Sequence, residues 1–344
     1  MSWLDKYQSA LLAAFPDVSQ EALVRELDSN GPEFAAFIIG HGLGPQWHLR
    51  TERAEFHDSR MAAEALFLAQ EHALKDIDEV LEAAGVEHAL IKGAANRLAL
   101  YSNPAIRACH DLDLLVHPDD RVQAASALVD SGFVAALEAK SISRELMLTR
   151  GEVNVDLHWA LLREGRLRHE PVKEMLSRRT RQGAIWTLSS SDVLFTLLVH
   201  PAFAKHLAGW DMGLHRVMDI VEWLQTQEFN WQDVRVRLER NGARTAAWAT
   251  LRWIELLSGP HALVHLDPMM SDVHPGRLRR AWLNRWLQKD YPARLSDRHW
   301  IRLLGFTPFL HDTMGDAMRA FVGREKARRR IDADLAVFAA LDKQ

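Results

Sequence analysis

The chain is predicted to be an α+β protein, with a small mixed-sheet module flanked by N- and C-terminal helical regions. Three observations predict it. Apolar residues recur at three and four through the first eighty-odd residues, two-residue alternation is confined to a central stretch of about one hundred residues, and helical spacing returns from Ser191 onward. The expected division is 1–84 for the N-terminal helical region, 85–188 for the central α/β module and 189–344 for the C-terminal helical domain.

The N-terminal region carries LDKYQSALLAAF and SQEALVREL, then a longer periodic segment from Asp58 to Ala84 with Met61, Ala65, Leu66, Leu74, Ile77 and Val80 on one stripe. GHGLGP interrupts these helices with Gly40, Gly42, Gly44 and Pro45; it does not fit GxGxxG, and no strand precedes it. After Gly85 the register changes. HALIKG reads as a short buried strand ending on Gly93, AANRLALYS as a helix, NPAIRACH as a loop and DLDLLV as a second strand. HPDD opens a helix with Asp119 and Asp120 in its first turn, and that helix stops at Gly132. Leu146 to Thr149 and Val153 to Trp159 read as further strands joined through Arg150-Gly151-Glu152. SSSDVLFTLLVH then carries an N-cap, followed by the amphipathic LHRVMDIVEWLQ and TAAWATLRWIELL.

Composition narrows the classes of function. With 344 residues, 48% hydrophobic and 26% charged, the chain is an ordinary soluble globular protein long enough for two or three domains. A net charge of -4 gives no overall attraction to nucleic acid or anionic membranes. The single cysteine, Cys109, excludes an internal disulfide and a cysteine zinc cage and suits a reducing compartment. No apolar run approaches the roughly 20 residues needed to span a bilayer. MSWLDKYQSALLAAF carries an acid where a signal peptide would carry bases, so a cytoplasmic location is expected.

The chemistry-bearing stretch is DLDLLV. Residues two apart on a strand point the same way, so Asp111 and Asp113 lie side by side although like charges repel. A divalent cation resolves that conflict, and Mg²⁺ takes one or two carboxylates while water and phosphate oxygens fill its other positions. A solvated edge strand bearing two surface acids is the alternative. Two further features favour the cation. In LIKGAA an apolar strand delivers Gly93 into a helix start, where backbone N–H groups form an anion site. In VNVDLHW, Asp156 and His158 share one strand face, with Val153, Val155, Leu157 and Trp159 on the other. A phosphate cradle, a carboxylate pair and a third carboxylate are what two-metal phosphoryl chemistry requires.

LIKGAANRLALY, AIRACHDLDLLVHPDD and VNVDLHW together resemble the uncharacterised nucleotidyltransferase family of the polymerase-β-like superfamily, and GLHRVMDIVEWL with FNWQDV resembles its C-terminal part. The resemblance implies a nucleotidyltransferase-type module. A nucleoside triphosphate donor would bind through its β- and γ-phosphates at Gly93-Ala94, with two Mg²⁺ ions held by Asp111, Asp113 and Asp156. It implies transfer of NMP to a hydroxyl of a small-molecule, peptide or protein acceptor, with pyrophosphate released. Ala94 stands where a serine or glycine usually follows the glycine, so a side-chain hydroxyl for the triphosphate is missing. Arg107 and Lys92 are the candidate cations for the leaving charge, Arg107 favoured by its forked donors, with plain surface charge the alternative for each. His158 either orients a ligand and assists proton transfer or is a structural histidine. The other reading of the whole is a non-catalytic member binding a nucleotide or partner protein.

Other patterns carry less. Among seventeen histidines there is no HExxH, and His200, His206 and His215 read as helix-end or partly buried residues. GxSxG and a Walker loop are absent. Trp210, Trp223, Trp231, Trp248 and Trp253 read as core, with an acceptor pocket between those helices and the central module the sharper possibility. The basic runs RLRR and GREKARRR would serve RNA phosphates only in a nucleic-acid reading, which the overall charge does not favour; a solvated helix face is the ordinary one.

Overall fold

The structure is a computed structural model that describes residues 2–136, 145–208, 213–259, 261, 266–323, 326 and 338. Four helices come first: α1 (Trp3–Leu11), α2 (Gln20–Asn30), α3 (Pro32–Gly40) and α4 (Gly44–Thr51). Each has a sequence-encoded start. Ser2 and Asp5 exchange side-chain-to-backbone hydrogen bonds in a capping box, Ser19 accepts from the Ala22 amide, and Pro32 and Pro45 occupy first turns. Trp47 is fully buried and its indole N–H donates to the Ala10 carbonyl at 2.8 Å, tying α4 to α1. The 27-residue α5 (His57–Ala83) then leads into the central module.

That module is one seven-stranded mixed sheet in the order β3-β4-β5-β2-β1-β7-β6. Its strands are β1 (His88–Ile91), β2 (Asp111–Val116), β3 (Val134–Ala136), β4 (Glu145–Arg150), β5 (Val153–His158), β6 (Thr180–Gln182) and β7 (Ile185–Thr187). At the centre β2 pairs antiparallel with β1 and parallel with β5. The four longer strands follow the apolar runs of the sequence. The three-residue β3, β6 and β7 are too short to show alternation, and β7 joins the sheet by pairing parallel with β1.

The sheet packs on both faces. Leu90, Leu112, Leu114, Val155 and Leu157 join Leu74, Ile77 and Leu81 of α5, Ala94 of α6 (Lys92–Leu100) and Leu128 of α7 (Arg121–Asp130). Ala89, Ile91 and Leu115, from the other face, join a larger cluster. Two elements complete the path to the C-terminal helices: α8 (Val172–Ser177), and α9 (Ser190–Phe203), capped by Ser189 accepting from the Asp192 amide. Then come α10 (Leu214–Thr226), α11 (Trp231–Asn241) and α12 (Arg244–Ser258). Leu11 of α1 and Leu198, Ile220 and Trp253 of the C-terminal helices sit in this same cluster, so helices from both ends of the chain share one core. Trp223, Trp248 and Trp253 are buried in it and Trp231 packs at its margin; Trp210 lies outside the described residues, as does most of GREKARRR.

Register is what positions the acids. Sliding β2 by one residue would push Asp111 and Asp113 into the apolar face and expose Leu112 and Leu114, at a cost of ~1.5–3 kcal/mol per leucine before any charge is buried. Among the described residues no helix is long and apolar enough to cross a membrane.

Candidate active site

In the parallel β2/β5 pair, Asp113 stands opposite Asp156, Asp111 opposite Asn154 and Leu115 opposite His158. Strand alternation therefore brings Asp111, Asp113, Asp156 and His158 to one face, with the aliphatic partners on the other. Ligating atoms of Asp113, Asp156 and His158 all lie within 4.8 Å of one another, the one such His/Cys/Asp/Glu group among the described residues. Asp111 is outside this tight group. It sits half-buried at the start of β2, where its charge still acts on Asp156.

Lys92 is drawn into the cluster. Its Nζ donates to Asp113 Oδ1 at 2.6 Å and lies 2.9 Å from His158 Nε2, which is itself 2.7 Å from the same oxygen. Burial by itself would push the Asp113 carboxyl up, but the Lys92 charge and the His158 hydrogen bond outweigh it and hold Asp113 well below the usual carboxylate range. Asp156 moves the other way. Burial first, then the charges of Asp113 and Asp111, push it up to about 6.

The corner beside these acids departs from its sequence reading in three ways. β1 ends at Ile91, and the left-handed residue at the turn is Lys92, with φ 54°, while Gly93 already belongs to α6. What demands glycine at 93 is Arg107: a Cβ there would lie 2.8 Å from its Nη1. Arg107, expected to meet a leaving phosphate, is instead buried with Nε and Nη2 donating to Asp219 at 3.1 and 2.6 Å and Nη1 donating to the Ala108 carbonyl. Its charge is neutralised inside the protein, so it shapes the corner from behind. Ala94 is fully buried among the leucines of β1 and β2, so a hydroxyl at that position would point into the core; its backbone N–H is what it can offer a phosphate. No side chain caps the N-terminus of α6, which leaves its first amides available to an anion.

His158 Nδ1 lies 3.2 Å from Glu145 Oε2. A carboxylate on one imidazole nitrogen fixes the ring and leaves the other nitrogen facing the acids, as in many histidine metal ligands. Two carboxylates and one oriented imidazole thus fit a divalent cation. Hard oxygens suit Mg²⁺ and Mn²⁺, and the nitrogen extends the range towards softer ions. Sequence reading missed Glu145, although a signal was present. The two-residue turn Gly151-Glu152 pairs Arg150 with Val153, and counting back along β4 puts Glu145 opposite His158. Asp219 was missed as well; its signal is an acid inside the apolar run VMDIV.

A cavity of about 50 Å³ lies between this corner and the C-terminal helices, lined by Lys92, Gly93, Arg107, Thr196 and His200 among others. Its volume holds about one or two waters, too little for a nucleoside. Burial, then the Lys92 and Arg216 charges, hold His200 well below its ordinary value, which suits a neutral ring beside that cavity. Larger cavities, of about 660 and 600 Å³, lie away from the acids, around Arg163–Glu170 and around Arg252 and Arg277. Cys109 is buried and its thiol is pushed up by that burial, which removes it as a nucleophile.

A family model described as "uncharacterised nucleotidyltransferase" matches residues 46–259, more than half of the chain and all of the sheet. No curated protein matches the chain.

Proposed function

The chain belongs to the uncharacterised nucleotidyltransferase family, and on that premise we propose that it moves an NMP group from a nucleoside triphosphate to a hydroxyl of a small-molecule, peptide or protein acceptor. Membership supports nucleotidyl transfer as the class of reaction. The observation that carries the finer reading is the in-register pair Asp113–Asp156, with His158 beside it, next to the uncapped start of α6.

In this reading the amides at Gly93 to Ala95 receive the triphosphate, with the field of α6 favouring its charge. Asp113, Asp156 and His158 would hold a divalent cation, Mg²⁺ in the first instance, and Asp111 adds negative charge to the same face. When bound, such a cation supplies neutralisation of phosphate charge in the transition state. The acceptor oxygen forms a bond to the α-phosphorus as the bond to the bridging α–β oxygen breaks, and pyrophosphate leaves with that electron pair. The acceptor's proton passes to solvent as its oxygen adds, because Asp156 is committed to the cation, whose charge favours the ionised carboxylate. The buried lone cysteine, a thiol with no disulfide, suits the cytoplasm as the place of action.

A second reading, nucleotide binding without chemistry, is favoured by one observation: Lys92 already neutralises Asp113. Incubation with each α-labelled NTP and Mg²⁺ separates the two, with pyrophosphate release and bound nucleotide both measured. Catalysis predicts release that falls ~100-fold or more in Asp113→Asn and in Asp156→Asn, as losses of electrostatic stabilisation do. Nucleotide bound by the wild type with no release at any acceptor selects the second reading. Release that is equal in wild type and both variants removes these acids from the mechanism.

A further inference from the structure

Lys92 holds an unusual place. Its φ of 54° is one that few non-glycine residues adopt, and the surrounding structure has to hold it there. That backbone turn lets the chain leave β1 for α6 while the side chain reaches over to β2 and β5. Only 22% of the side chain is exposed, and its ammonium contacts two of the three groups that converge as cation ligands. A metal ion drawing on Asp113 Oδ1 and His158 Nε2 would meet a second cation within about 3 Å, where like charges repel strongly at low dielectric. Metal and ammonium therefore compete for the same atoms.

The competition is uneven. One ammonium brings a single charge to a face carrying Asp111, Asp113 and Asp156, the last two side by side in the β2/β5 register. A lysine is a point charge on a four-carbon stem, able to change partners without the fixed geometry of a guanidinium fork. Its own anchor is the first residue of α6, whose amides face the expected phosphates. An incoming polyphosphate thus offers the ammonium a second anion at its point of attachment.

Resting on the nucleotidyl-transfer reading above, we infer that Lys92 is a displaceable internal counter-ion. It excludes the bare divalent cation, and it yields Asp113 and His158 when metal arrives together with nucleotide phosphates. The substrate the site admits is the metal–nucleotide complex, with free metal rejected.

Mn²⁺ binding followed by electron paramagnetic resonance tests this on the full chain, with and without non-hydrolysable α,β-methylene analogues of the four NTPs. The variants are Lys92→Met and, as a second that keeps a hydrogen-bond donor to Asp113, Lys92→Gln; melting temperatures report that each is folded. The wild type is expected to bind bare Mn²⁺ weakly and to gain affinity when an analogue is present. Either variant is expected to bind bare Mn²⁺ about tenfold or more tightly than the wild type, the effect of removing a close like charge, and to lose most of the nucleotide dependence. Equal bare-Mn²⁺ affinity in wild type and variants overturns the inference, whatever the analogues do. A tenfold gain in the variants with no analogue bound by any protein upholds exclusion by Lys92 and overturns the reaction on which it rests, so the two failures are distinguishable.

Discussion

Two adjacent residues lead to two buried aspartates that are held in opposite ways: Lys92 pairs with Asp113, and Gly93 lies against Arg107, the partner of Asp219. Asp219 is 1% exposed and takes four hydrogen bonds: Nε and Nη2 of Arg107, the Tyr101 hydroxyl and the Asn96 amide. Asp113, 8% exposed, takes its two side-chain hydrogen bonds on one oxygen, from Lys92 and His158. Each has a second carboxylate nearby, Glu222 for Asp219 and Asp156 for Asp113, and both second carboxylates are pushed up, to about 7 and about 6. The difference lies in the cation. A planar fork matched to both carboxylate oxygens makes a permanent joint, whereas an ammonium on a flexible stem can exchange. The first knot joins α6 and the loop before β2 to α10; the second lies within the Asp113, Asp156 and His158 group.

If that contrast is right, removing the two acids should affect different properties. Asp219→Ala strands the Arg107 guanidinium, only 3% exposed, and should destabilise the protein by about 3–5 kcal/mol, the usual outcome when half of a buried pair is deleted. Asp113→Ala leaves an ammonium that is 22% exposed and can turn towards water, so about 1–2 kcal/mol is expected. Urea unfolding of both variants measures the difference. A cost for Asp219→Ala no greater than that for Asp113→Ala would break the comparison.

The second carboxylate of the structural knot sharpens it through pH. Burial, with the Asp219 charge added, pushes Glu222 up to about 7, above the ordinary 4.5 that it regains on unfolding. The folded state therefore keeps that proton longer than the unfolded chain does. This group's contribution to stability is greatest below about 4.5 and declines as pH rises to about 7, where the folded glutamate also ionises. The residue is half-buried, so screening limits the decline to about 1–2 kcal/mol. Glu222→Gln should flatten the slope of unfolding free energy between pH 4.5 and 7 and be the more stable protein at pH 8. A slope unchanged by the substitution would show that Glu222 does not feel the Asp219 knot.

How far these knots were legible in the sequence follows from their range. Asp111, Asp113, Asp156 and His158 sit on strands whose alternation is local, so their common face could be read from DLDLLV and VNVDLH. Gly93 reads as the residue that lets the backbone approach a ligand at the end of the strand; the left-handed turn falls one residue earlier, at Lys92, and nothing local in LIKGAA announces it. Arg107 looked like a free cation because its partner lies 112 residues further on, beyond any periodic signal. Asp219 advertised itself only as an acid in a buried run, a sign that it is paired without a sign of with what. The strands added by β6 and β7 were invisible for a simpler reason, since three residues make no pattern.

The finest test of permanence is to thin the Asp219 knot without breaking it. Tyr101 is 7% exposed, and its hydroxyl donates to Asp219 Oδ1 at 3.1 Å, an oxygen that also accepts from Arg107 Nε. Tyr101→Phe keeps the ring in place and removes one donor from a carboxylate that retains three. A single hydrogen bond is worth ~1 kcal/mol net, and the remaining Arg107 fork already satisfies both oxygens, so a loss of ~1 kcal/mol or less is expected. Because this knot is structural, the variant should bind Mn²⁺ and the α,β-methylene nucleotides as the wild type does. A weakened nucleotide affinity in a protein of near-normal stability would mean that the Asp219 knot, through Arg107 and Gly93, sets the geometry of the phosphate corner, and that the two aspartates work as one device.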